Sequence, residues 1–153
     1  MNHALTRLAE EAGLSGEGHR ALRLAFGLAC AQRVRHLLEH PRALACLDVL
    51  EAHVAGRADA AALDAAAAEI APVAASHRGS SSIDGSAHAA VSATHGVAHA
   101  LAGRALEAAG YTAYATVYAY GGYAVSDPAS FEPEFAWQVA CLRELLAASP
   151  AAA

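Results

Sequence analysis

A chain of 153 residues has room for one domain, whose core needs no disulfide support. Its 44 alanines, ten arginines and complete lack of lysine bias it toward helix, because alanine is the best helix former and β-branched residues are scarce. A net charge of −5 excludes a general attraction to nucleic acid, and the most apolar window, residues 60–75, is broken by Asp64, Glu69 and Pro72 and is no membrane span.

Helix signals recur along the chain. The first helix is expected over residues 3–12, stopped at Gly13. Ser15 is placed to cap a second over residues 17–39, where Leu22, Phe26, Ala29, Cys30, Val34 and Leu37 have the three-and-four spacing of a buried face. Pro41 ends that helix and opens a third over 41–55, with Leu44, Leu47, Leu50 and Val54 turned to the core and Gly56 as the stop. Asp59 caps a fourth that reaches toward residue 75, anchored by Leu63 and Ile70 and kinked or ended at Pro72. A loop over 77–82 leads into a long helix that starts within 83–86, runs to Ala109 and closes at Gly110. Residues 111–123 are ambiguous: Tyr111, Tyr114 and Tyr118 share a helical face, whereas Thr116, Val117, Gly121 and Gly122 weaken it. Asp127-Pro128 and Ser130 signal a last helix over 131–148, with Phe135, Trp137, Leu142, Leu145 and Leu146 for packing, and residues 149–153 read as a disordered tail. The fold class is all-α: a single domain over residues 1–148, a bundle of about six or seven helices.

Cys30, Cys46 and Cys141 are odd in number and form no C-x-x-C, and the first seven residues lead into Glu10 and Glu11 without an apolar signal core. A cytoplasmic location follows, with the cysteines as small core hydrophobes.

Nine histidines are many for this length, and the informative ones are His88, His95 and His99. With Asp84 they fall within about 60° of one another on one helix face. His95 and His99 are one turn apart, the spacing at which two imidazoles hold one metal ion such as zinc. His88 lies about 10.5 Å further along the axis, too far to join them. A metal site would need a ligand from another helix, for which Asp48, Glu51, His53 and His77 are available. No H-E-x-x-H or Glu-x-x-His occurs, and His36 and His40, the other one-turn pair, sit among arginines that would repel a cation. The stripe reads first as a structural or interface seam of buried, hydrogen-bonded histidines, with no metal or other cofactor; a divalent-metal bundle, hydrolase-like or thiol-handling, is the alternative.

No catalytic set is visible. The loop at Gly79–Ser82 precedes a helix but lacks both the Walker lysine and G-x-G-x-x-G, and Asp84 would repel an anion. Neither G-x-S-x-G nor a legible Ser/His/Asp or Cys/His group is present. Five tyrosines, at 111, 114, 118, 120 and 123, are concentrated in thirteen residues. They serve either as bulk wedged between the long helix and the last one or as a contact surface.

The segments LAFGLACAQRVR at 24–35, PRALACLDVLEAHVAG at 41–56 and AHAAVSATHGVAHA at 87–100, followed by Trp137-Gln138, carry a resemblance. In this order the chain resembles the alanine-rich, all-helical immunity proteins of bacterial polymorphic-toxin systems, the fifth-immunity-type-like group. The matching positions are Cys30, Ala31, Pro41, Arg42, Gly56, His88, His95, His99, Trp137 and Gln138. The resemblance implies a non-enzymatic protein that neutralises a toxin domain by stoichiometric binding. Residues 43–153 hold eleven acids against four arginines, which suits a basic partner. Expected partner-binding or seam residues are His88, His95, His99, Tyr111, Tyr114, Tyr118, Trp137 and Gln138. No nucleic acid or membrane is expected as a partner, and pairing of alanine faces between copies would give a homo-oligomer.

Overall fold

Helix α1, His3–Glu11, begins where the Asn2 side chain accepts a hydrogen bond from the Leu5 N–H at 3.1 Å. The computed structural model describes residues 1–76 and 86–149. The 77–82 loop, His77 and Asp84 lie outside the described residues, as do residues 150–153 of the expected tail. Among the described residues six more helices follow: α2 Arg20–Gln32, α3 Pro41–Val54, α4 Ala60–Ser76, α5 Ser86–Leu101, α6 Ala105–Tyr118 and α7 Glu132–Ala148. Short 3₁₀ turns lie at Glu17–His19, Arg35–Leu37, Gly122–Ser126 and Pro128–Phe131, and no strand occurs among the described residues. The chain is an all-α bundle.

Several expected boundaries move. Ser15 caps nothing; a 3₁₀ turn precedes α2, and Gly16 stands at its start. The expected second helix stops at Gln32; a 3₁₀ turn at Arg35–Leu37 follows, and His40 is extended at ψ 125° ahead of Pro41, as suits the residue before a proline. Pro72 lies inside α4, exposed, while Val73 and Ala74 beyond it are buried and hold the last turn on the core.

The largest change concerns the long helix. It breaks at Ala102–Arg104, so that α5 and α6 form a hairpin and Gly110 falls within α6. The stop is Gly103, at φ 74°: its N–H donates to Ala100 O at 3.1 Å and the Arg104 N–H donates to His99 O at 2.9 Å.

Helix α5 is central, packing against α2, α3, α4 and α6. Small residues make this possible. A methyl on Gly27 would lie 3.1 Å from the Ala100 Cα, and one on Gly96 only 2.6 Å from Cγ2 of Thr112. One core, with Leu24, Leu47, Leu50, Leu63, Ile70 and Val97, joins α2, α3, α4 and α5 and reaches α6 at Ala108 and Ala115. A second, with Leu5, Phe26, Cys30 and Leu142, joins α1, α2, α6 and α7. Cys30 and Cys46 are buried and Cys141 half-buried, all as free thiols; burial pushes each thiol up from its ordinary value.

Candidate functional site

The turn at Gly103 sets the histidine stripe of α5 against the tyrosines of α6. Tyr111 stacks on both His99 and His95, with centroids 5.0 and 5.1 Å apart and planes 11° and 23° apart. Tyr118 lies over His88 at 5.3 Å. From Tyr118 the rings continue to Tyr114 at 6.2 Å, then to Phe131 at 5.1 Å edge-on and to Phe135 at 5.4 Å. The three histidines are therefore not a buried seam: His88 is exposed, and His95 and His99 are half-buried under tyrosine rings. The tyrosines likewise border the core rather than wedge it. Tyr111 is 39% exposed, Tyr114 45%, Tyr120 58% and Tyr123 80%.

Burial holds His99 below its ordinary value of 6.5; Arg104 and His95 act in the same direction, while Glu107 opposes them. Among the described residues no group of three His, Cys, Asp or Glu side chains could hold a metal ion. Two of the candidate third ligands are engaged elsewhere: His53 Nδ1 lies 3.0 Å from Ala58 O, and Asp48 pairs with Arg35 at 2.8 Å.

Trp137 and Gln138 serve a different place. The guanidinium of Arg33, from the end of α2, lies 4.1 Å from the Trp137 ring centroid and binds Glu134 through two bonds of 2.8 and 2.7 Å. Glu134 is buried at 4% exposure, and its carboxylate drives the Arg33 guanidinium above its ordinary value. Gln138, fully buried, donates from Nε2 to Ala109 O at 2.8 Å and accepts from Asn2 Nδ2 at 3.1 Å. Asn2 also donates to Phe135 O at 3.1 Å, so one amide pair ties the start of α1 to α6 and α7.

Beside this amide pair opens a cavity of about 730 Å³ between α1, α6 and α7. Its walls include Leu106, Tyr114, Phe131 and Phe135, its floor Asn2 and Gln138, and Gly110 leaves one side open. Arg33, Glu134, Asn2 and this cavity were outside the sequence-based candidates. Only the acids at the start of α7 carried a local signal, as charges favoured at a helix N-terminus.

No described helix is long and apolar enough to cross a membrane. Compared with known protein families, with curated proteins and with solved structures, the chain has no match.

Proposed function

We propose that this chain is a cytoplasmic binding protein that neutralises a bacterial toxin domain by stoichiometric association, as its resemblance to immunity proteins implies. The observation that carries the reading is the aromatic face of α5 and α6. Tyr111 and Tyr114 are partly exposed there, His88 is exposed under Tyr118, and Tyr120 and Tyr123 are exposed in the turn that follows. Tyrosine offers wide contact area with a polar tip and few rotors to immobilise, which is why it is enriched at interface centres. The stacked imidazoles hold the Tyr111 and Tyr118 rings in place before a partner arrives, which lowers the ordering cost of association. The acidic surplus beyond residue 43 would speed encounter with a basic toxin domain, most of all at low salt.

The test is co-expression with the toxin-like products of neighbouring genes, scored by growth rescue and by a one-to-one complex in gel filtration. The double variant Tyr111→Ala with Tyr114→Ala should weaken that complex by about thirtyfold or more, about 2 kcal/mol. Failure to find a complex, with no toxicity relieved, overturns the reading.

A further inference from the structure

We propose that the cavity over Gly110 is a binding site for a small amphipathic cation: a flat apolar body carrying one ammonium group. The argument is independent of the toxin reading and starts from three glycines within helices. Gly27 and Gly96 are explained by the chain itself, because a methyl on either would press on a neighbouring helix. Gly110 is not so explained. A methyl there would meet nothing within 4 Å, although glycine inside a helix is about 1 kcal/mol worse than alanine and alanine is the residue this chain uses most. Gly110 is exposed and lines the cavity, so a side chain there would project into its open side.

The space is of ligand size: about 730 Å³, against about 300–1,000 Å³ for ordinary small-molecule sites. Its chemistry is divided along α6. Tyr114 stands at one end with Phe131 and Phe135, whose mutual contacts of 5.1 and 5.4 Å make a wall of rings. Glu107 stands seven residues away on the same helix, about 10.5 Å along its axis. Among the described residues it is the one carboxylate of the lining, and no arginine lines it; His3 and Met1, both exposed, line it too. The floor amides of Asn2 and Gln138 are bonded to each other and to backbone carbonyls, so the floor demands no polar group from a ligand. An aromatic body over Gly110, its ammonium group reaching Glu107, satisfies both ends.

The experiment is calorimetric titration of the full chain near neutral pH with naphthylethylamine, and with naphthylacetate as the same body carrying the opposite charge. The amine should bind saturably below about 1 mM and at least about tenfold more tightly than the acetate. Glu107→Gln should shrink that preference to within about threefold. Gly110→Leu should abolish binding with a melting temperature at or above that of the parent, and Gly110→Gln is the second filler should the leucine variant not fold. No saturable binding of the amine, equal affinity for amine and acetate, or full binding in a folded filler variant would each overturn the proposal.

Discussion

Helix α6 is packed in two opposite ways on its two sides. Toward α5 the fit is closed: Thr112 seats its methyl in the space left by Gly96, and Ala108 and Ala115 are fully buried around it. Toward α1 and α7 the fit is open, with Gly110 facing a cavity and with bulky rings standing around empty volume. On the closed side small residues bring backbones together, so shape holds the hairpin. On the open side α7 still packs through Leu142 on Ala105 and Ala109, and directional polar contacts add to that core: Arg33 on Glu134, and Gln138 on Ala109 and Asn2. Close packing and an open site share this helix because the open side keeps a core at one end and polar pins beside the cavity.

The heaviest blow to this arrangement should come from Arg33→Ala. It leaves the Glu134 carboxylate buried without its cation and strips the cover from Trp137. Breaking one partner of a buried pair costs about 3–5 kcal/mol, and Arg33 is partly solvated, so a loss of about 3 kcal/mol in urea unfolding is expected. Arg33→Ala with Glu134→Met should recover most of it, since the uncompensated charge is then gone. A loss below about 0.5 kcal/mol would mean that apolar contact, and not the polar pins, holds α7.

A pair of glycine variants reads the two sides of α6 directly. Gly96→Val forces a side chain against Thr112 and should destabilise by about 2 kcal/mol, the usual scale of overpacking. Gly110→Ala meets no atom and should stabilise by about 0.5–1 kcal/mol through helix propensity. Opposite signs in thermal melts confirm the contrast; a destabilising Gly110→Ala would show the cavity side to be closed.

Local chemistry was readable in the chain, and long-range pairing was not. Pro41, Asp59, Gly13 and Gly56 punctuate helices where expected, because capping depends on a few adjacent residues. Gly110 was expected to be a stop and Gly103 was passed over, since apolar residues continue at helical spacing on both sides of Gly103. A glycine in such a run can be a stop, a close approach or an opening, and only its neighbours in space decide which. The stripe of His88, His95 and His99 followed from turn arithmetic, but its partners Tyr111 and Tyr118 belong to the next helix and meet it only after the turn at Gly103. The cavity draws its walls from α1, α6, the turns before α7 and α7 itself, and no single stretch carries its outline.

The smallest expected effect tests whether that histidine–tyrosine stack belongs to the closed side or the open one. The influences on His99 conflict. Burial disfavours the imidazolium, as do Arg104 and His95, whereas Glu107 and the face of Tyr111 favour it; burial wins, so His99 titrates below 6.5 when folded. Unfolded, it titrates near its ordinary 6.5 and binds more protons than the folded chain between the two values. Stability at this residue is therefore complete above 6.5 and declines as pH falls toward the folded value. His99→Gln should flatten that part of the urea midpoint's pH dependence without altering the profile at higher pH. Tyr111→Leu keeps an apolar cover but removes the π face, and should lower the His99 titration further in proton NMR. A titration above 6.5 in the parent would reverse the ranking, with Glu107 and the Tyr111 face together holding the charged ring.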